Sequence, residues 1–246
     1  MDCKAIVDRI TQFIREIVEK SKSTGVVLGL SGGVDSAVVA FLCVKALGRE
    51  KVLANIMPEK GVTPERDVED ALQVAKMLGI KHNVIEISPF VHLFLETLGE
   101  DKNAVINLKP RIRMTINYFF ANKLQRLVVG TGNKSEIMVG YFTKYGDGAV
   151  DFNPIGDLYK TEVFEVAKFL GVPENIIKKK PTAGLYVGQT DEDEIGMSYA
   201  ELDEILKAIE KGIKMENEKF KRVLSLIRAS EHKRKLPPIP SVRDLI

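Results

Sequence analysis

The sequence predicts an α/β protein: a doubly wound parallel sheet with helices on both faces, followed by a helical C-terminal part. Three observations predict it. Between Gly25 and Val129, short apolar runs rich in β-branched residues alternate with helical stretches. Those runs are nearly continuous in Val, Leu and Ile, as strands buried on both faces are. The polar, glycine-bearing segments with chemical potential follow Leu30, Met57 and Val129, where the carboxyl ends of such strands would lie.

The elements follow in order. Ile6, Ile10, Phe13, Ile14 and Ile17 recur at helical spacing and predict an amphipathic first helix. Gly25 to Leu30 reads as a buried strand, Ser31-Gly32-Gly33 as a turn, and Asp35 to Leu47 as a helix closed by Gly48. Val52 to Met57 is a second strand. Thr63-Pro64 opens a helix with a capping residue and a proline at the first position, and Gly79 ends it. Asn83 to Ile87 is a third strand, and Ser88-Pro89 repeats the cap-and-proline start. Lys109 to Asn122 is helical, and Leu127-Val128-Val129 is a fourth strand. After Asp151 the strand signal fades. Lys160 to Leu170, Tyr199 to Lys211 and Glu216 to Ser230 are predicted helices, and a basic, proline-rich tail runs from His232 to Pro240.

The length of 246 residues fits a single domain spanning 1–246. A net charge of +2 gives no global pull toward nucleic acid or a membrane surface, so phosphate binding must come from local clusters. No apolar run is long enough to span a bilayer, and Met1 to Lys20 lacks the apolar core of a signal peptide, so a cytoplasmic protein is expected. Cys3 and Cys43 form no CxxC, which argues against a zinc ribbon or redox pair, and Cys43 is expected to be a buried thiol.

Ser31-Gly32-Gly33-Val34-Asp35-Ser36 follows a strand and opens a helix. Two glycines let the backbone turn sharply, and successive N–H groups at a helix N-terminus attract anions. The loop has neither the Gly-Lys-Ser/Thr of a Walker loop nor a GxGxxG. Asp35 is informative, because a carboxylate beside phosphates is repulsive unless a cation lies between them, and Mg²⁺ suits that donor mix. A plain strand-to-helix turn is the competing reading.

A second constellation runs from Arg111 to Asp151. It holds Gly130-Thr131-Gly132, then Asn133-Lys134-Ser135-Glu136, then Gly140-Tyr141-Phe142-Thr143-Lys144-Tyr145-Gly146-Asp147-Gly148. Lys144 could hold a phosphate or carboxylate, and Glu136 could be a second oxygen ligand to a metal. A mobile surface loop with solvated charges is the alternative. Arg111 and Arg113 stand two apart and do not share a helix face, so at least one is expected to be structural. His82 and His92 have no ligand partners nearby.

The hexapeptide resembles the SGGxDS pyrophosphate loop of the N-type ATP pyrophosphatases. The nonapeptide from Gly140 to Gly148 is similar to the GFFTKYGDG signature of ammonia-dependent NAD synthetases. Arg111-x-Arg113-Met114, Leu158-Tyr159-Lys160-Thr161, Lys180-Pro181-Thr182-Ala183 and His232-Lys233-Arg234 extend the resemblance along the whole chain. Val34 and Gly184 depart from common patterns in that family, as do the residues between Thr131 and Glu136.

The resemblance implies a Rossmann-like fold of the adenine nucleotide alpha hydrolase type. It also implies an activity, the ATP-dependent amidation of deamido-NAD with ammonia through an adenylated carboxylate, giving NAD, AMP and pyrophosphate. Carried over by position, Gly29, Leu30, Ser31, Gly32, Gly33, Val34, Asp35 and Ser36, with Thr131, Lys160 and Thr182, would hold ATP. Asp35 and Glu136 would ligate Mg²⁺. Arg111, Lys144, Asp151, His232 and Lys233 would contact deamido-NAD. Asp151 and Lys160 are the catalytic candidates, Asp151 as the group that binds or deprotonates ammonium. A homodimer with the substrate site near the subunit interface is implied. The synthetase match takes up the chain and leaves no glutaminase domain, so free ammonium is the expected donor. Two rival readings stand beside it: another adenylating enzyme, such as a tRNA-modifying one, and a nucleotide-binding module without chemistry. Paired cysteines or a larger basic excess would favour the first, and loss of Asp35 or Glu136 the second; the sequence shows neither.

Overall fold

Four short strands pair in parallel at the centre of the computed structural model, which describes residues 1–242. They are β1 (Val26–Gly29), β2 (Val52–Ile56), β3 (Lys81–Val84) and β4 (Leu127–Val129), in the spatial order β3-β2-β1-β4. The register sets Val27 opposite Leu53 on one side and Val128 on the other. Side chains therefore alternate between two cores. Val26, Leu28, Ala54 and Ile56 enter the larger core with α1 (Cys3–Lys20), α2 (Val34–Leu47), α3 (Glu65–Leu78) and, later in the chain, the helix Lys160–Leu170. Val27, Leu53 and Val128 face the opposite way and pack against Ala121.

Ala121 belongs to α5 (Lys102–Leu124), which with α4 (Ser88–Leu98) returns the chain from β3 to β4. The winding thus runs outward from β1 through β2 to β3, then reverses to place β4 on the other side of β1. That reversal separates the loops leaving β1 and β4 and opens a crevice beyond their carboxyl ends. Beside β4, Val129 bridges Phe152 in parallel, and the Gly130 N–H donates to the Phe152 carbonyl at 2.9 Å. This strand stub has no counterpart in the sequence reading.

The second half is helical, as expected: α6 (Lys134–Val139), α7 (Lys160–Leu170), α8 (Glu174–Ile177), α9 (Asp191–Ile195), α10 (Tyr199–Glu210) and α11 (Glu218–Ala229). Tyr159, Ile195, Tyr199, Leu202, Leu206 and Phe220 form a separate core there. No described helix is long and apolar enough to cross a membrane.

Several boundaries differ from the sequence reading, for local reasons. The buried ridge of α1 is Val7, Thr11, Ile14 and Val18, and Thr11 is tolerated because its hydroxyl donates to the Asp8 carbonyl. Ile6, Ile10 and Ile17 flank that ridge, while Phe13 lies edge-on to Phe152 with ring centres 6.0 Å apart. Pro64, not Thr63, occupies the position before α3; the Thr63 hydroxyl instead accepts the Glu59 N–H. Ser88 likewise lies inside α4 and accepts the Lys60 N–H. Helix α5 begins seven residues before Lys109, because Asp101 caps it by accepting the Ala104 N–H and Pro110 is accommodated inside it. β3 starts at Lys81, two residues before the expected Asn83, and its ladder is prolonged by the Ile85 N–H donating to the Ile56 carbonyl.

Candidate active site

Beyond β1 and β4 lies a cavity of about 440 Å³, large enough for a nucleotide-sized ligand. Gly29 to Ser31 and Gly33 to Ser36 line it from β1, and Thr131 and Glu136 from the β4 side. Lys160 and Thr182 complete the set expected to hold ATP, with Gly32 just behind the wall.

The loop after β1 is shaped by its own hydroxyls. Ser36 donates to the Gly33 carbonyl at 3.0 Å and accepts the Ser31 N–H at 3.2 Å, while the Gly33 N–H donates to the Ser31 hydroxyl. Gly32 has φ +80°, and a Cβ there would lie 2.2 Å from the Asp67 carbonyl oxygen. Gly33 offers no side-chain cap to α2, so the first-turn N–H groups of a 14-residue helix face the cavity. Lys179 braces the loop from behind: its ammonium donates to the Gly32 carbonyl at 3.0 Å and to Asp67 at 2.7 Å, and pairs with Asp70.

Asp35, on the first turn of α2, meets residues from two other elements. One carboxylate oxygen accepts a bond from the Asn133 side-chain amide at 3.0 Å, and the other is paired with the Lys160 ammonium. Asn133 is also the cap of α6. It accepts the Glu136 N–H at 3.0 Å, while Glu136 Oε2 accepts the Asn133 N–H at 3.3 Å. One glutamate oxygen is thus spent on the cap, and the other lies 3.5 Å from the Lys160 ammonium. Lys160 is only 2 % exposed. Its backbone N–H donates to Ser135, whose hydroxyl is tied to Asp203, and its ammonium sits 4.9 Å from the centre of the Tyr199 ring.

The electrostatics follow. Burial pushes the Glu136 carboxyl up to about 8; the charges of Asp35 and Asp191 add to this, and Lys160 opposes it. Burial pulls Lys160 down, but Asp35 and Glu136 outweigh it and hold the ammonium above the ordinary lysine range. Among the described residues, no three His, Cys, Asp or Glu side chains form a metal site unaided. The donor set, two carboxylates at the mouth of an anion-binding loop, still fits Mg²⁺. That ion characteristically takes one or two carboxylates and completes its shell with phosphate oxygens and water.

The residues expected to contact the dinucleotide lie outside this cavity. Arg111 donates to the Lys144 carbonyl at 3.2 Å, and the Lys144 ammonium rests 5.2 Å from the Tyr145 ring centre. Lys233 donates to the carbonyls of Gly140 and Phe142, and His232 sits exposed on the same turn. Lys144 belongs to the Gly140–Gly148 loop, and Arg111 and Lys233 bond to its backbone, with His232 beside Lys233 in the chain. Asp151 accepts the Val128 N–H at 2.7 Å and the Tyr118 hydroxyl at 3.3 Å, so its carboxylate is engaged at the edge of β4 rather than in the cavity. Arg113, not Arg111, lines the cavity and donates to the Met57 carbonyl.

Sequence reasoning missed Asn133, although Asn133-x-x-Glu136 is a readable capping box. It also missed Lys179, Tyr199 and Asp191. Asp191 had no local signal, because it opens the run Asp191-Glu192-Asp193-Glu194, which reads as solvated charge.

Comparisons with known proteins bear on the family and the fold. Residues 6–237 match the family described as NAD synthase. The NH(3)-dependent NAD(+) synthetase of Archaeoglobus fulgidus is 64% identical over 247 residues, covering all of both chains. Among solved structures, an NH3-dependent NAD synthetase from Campylobacter jejuni superposes with a TM-score of 0.86 at 37% identity, covering 98% of this chain and 100% of that one. NMN synthetase from Francisella tularensis superposes with a TM-score of 0.90 at 39% identity, covering 98% and 99%.

Proposed function

The chain belongs to the NAD synthase family, and from that premise we propose how its own residues carry the ATP-dependent amidation of deamido-NAD with ammonia. The observation that carries the proposal is the meeting of Asp35, Glu136 and Lys160 at the mouth of the Ser31–Ser36 loop.

A carboxylate does not react with ammonia near neutral pH, because oxide is a poor leaving group. In the activated route, the nicotinate carboxylate oxygen attacks the α-phosphate of ATP. The bond between the α- and β-phosphates breaks and pyrophosphate leaves. The N–H groups of the Ser31–Ser36 loop and the first turn of α2 hold that pyrophosphate, and Lys160 offsets the charge that develops. Mg²⁺, when bound by Asp35 and Glu136, supplies further charge neutralisation for the phosphates. Ammonium gives up one proton to become ammonia, whose nitrogen forms the C–N bond; the bond from acyl carbon to AMP oxygen breaks, AMP departs, and the nitrogen sheds a second proton to water to leave the amide. Thr131 and Thr182 sit where they can orient the nucleotide. Catalysis of this kind is mainly positioning and charge stabilisation, and it needs no protein nucleophile.

Free ammonium is the donor in this proposal. Neither cysteine suits a glutaminase: Cys43 is fully buried, with its thiol pushed up to about 12, and Cys3 sits on α1, away from the cavity wall. Two free thiols also suit a reducing, cytoplasmic setting. Arg111, Lys144, Asp151, His232 and Lys233 are proposed to contact the dinucleotide. Four of them lie in or beside the Gly140–Gly148 loop and Asp151 lies at the edge of β4, and the proposal has a second subunit of a homodimer complete the site there. The likeness to an NMN synthetase favours one second reading, in which the mononucleotide is amidated instead.

The test is product analysis with ATP, Mg²⁺, ammonium and either deamido-NAD or nicotinate mononucleotide. NAD, AMP and pyrophosphate in equal amounts from the dinucleotide, at the higher kcat/KM, are expected. A higher kcat/KM on the mononucleotide, or ATP cleavage indifferent to either substrate, would refute the proposal.

A further inference from the structure

We infer that Asp191, from the inner wall of the cavity, holds the ammonium ion that the reaction consumes, with the hydroxyl of Tyr199 beside it. This rests on the amidation reading above and assigns that reaction's third substrate a place.

Asp191 is 4 % exposed and lines the cavity. Its Oδ2 accepts the Tyr199 hydroxyl at 3.0 Å, but its Oδ1 is buried with no hydrogen-bond partner. A buried carboxylate oxygen without a donor is costly, which marks a position awaiting one. Its neighbours cannot supply it. The Tyr141 hydroxyl also faces Asp191, but its single proton goes to Glu194 at 2.5 Å. Glu194, one turn further along, is saturated by contrast: it also accepts from Tyr186 at 2.6 Å and from Gln189 at 3.0 Å. Among the described residues, four buried side-chain atoms lack a hydrogen-bond partner, and of these only Asp191 Oδ1 belongs to a residue that lines the cavity.

Charge points the same way. Three carboxylates, Asp35, Glu136 and Asp191, face one buried cation, Lys160. With Asp35 and Glu136 assigned to Mg²⁺ and the phosphates, Asp191 is the surplus charge. Mg²⁺ would ask for several hard oxygen donors in octahedral array. Here the available acceptors are one carboxylate oxygen and phenol oxygens. That set matches a monovalent ion with hydrogens to donate, and Asp191 shares its cavity with the phosphate loop where the acyl group is activated.

Asp191→Asn keeps the shape and removes the charge. Initial rates with ammonium chloride varied, at saturating ATP and deamido-NAD, should show the ammonium KM raised about ten- to a hundredfold, the loss of one hydrogen bond to a charged group. The ATP KM should stay unchanged, as should the deamido-NAD-dependent exchange of labelled pyrophosphate into ATP, which needs no ammonium. On the wild-type protein, rubidium, a monovalent cation close to ammonium in size, should compete with ammonium and not with ATP. This arm does not depend on how the variant folds. An unaltered ammonium KM in the variant, absence of rubidium competition, or a variant whose exchange reaction demands more Mg²⁺ would each overturn the assignment. If the wild-type protein shows no exchange, the amidation reading fails and takes this site with it. Exchange in the wild type with an unchanged ammonium KM in the variant removes this site alone.

Discussion

Lys160 and Asp35, 125 residues apart in the chain, are ion-paired inside the cavity, with the lysine almost wholly buried. The pair joins the N-terminus of α7 to that of α2, so it fixes the cavity as well as filling it. Lys160→Met removes the cation and leaves Asp35 and Glu136 facing each other without it. Breaking a buried pair from one side costs about 3–5 kcal/mol. Urea unfolding should show a loss of that order, and NAD formation should fall to the detection limit. A variant of unchanged stability would mean that water already solvates Asp35.

The phosphate loop depends on a residue outside it. Lys179 holds the Gly32 carbonyl and Asp67 together, and Gly32 packs too closely on Asp67 for any Cβ. Lys179→Met should raise the ATP KM by on the order of tenfold, with a smaller effect on kcat, because it loosens the loop without touching the reacting atoms. Gly32→Ala should cost about 1–3 kcal/mol through a positive φ and a clash with backbone. Steady-state kinetics and thermal unfolding of the two variants separate binding from folding.

Glu136 supplies a pH signature. Burial, which disfavours its charge, pushes its carboxyl up from an ordinary 4.5 to about 8. A folded-state value above the unfolded one stabilises below about 4.5 and loses that stabilisation as pH rises through about 8. The ligand-free protein should therefore melt at progressively lower temperature between those limits. Glu136→Gln should flatten the trend. Mg²⁺ with ATP should raise the melting temperature more at pH 8 than at pH 6, since a cation favours the carboxylate. A wild-type slope identical to that of the variant would remove Glu136 as its source.

Much of this was legible in the sequence, for identifiable reasons. Strand positions were readable because Val26–Leu28 and Val52–Ile56 are buried on both faces, which leaves continuous apolar runs. The phosphate loop was readable because its chemistry is local: two glycines, two serines and an aspartate within six residues. Helix starts were less so, because Thr63 and Ser88 hydroxyls take backbone partners in other turns. The contacts of Asn133 with Asp35 and of Lys179 with Gly32 span 98 and 147 residues, which no local pattern encodes. Arg111 and Arg113 show the same limit: spacing said that they differ, and only the fold put Arg113 at the cavity.

Cys43 offers a test of the core independent of the cavity. It is 0 % exposed between α2 and the sheet, and burial pushes its thiol from 9.0 to about 12. The thiolate is the reactive form, so a disulfide reagent at pH 8 should label Cys3, which is partly exposed, and leave Cys43 until the protein unfolds. The sign for stability follows from the raised value: the contribution is intact below about 9 and is lost as pH rises toward 12, because only the unfolded chain ionises there. Cys43→Ala should weaken the alkaline loss while lowering stability at neutral pH by about 1 kcal/mol, for the buried group it deletes. Rapid labelling of both thiols in the native protein would show that α2 separates from the sheet far more often than this packing allows.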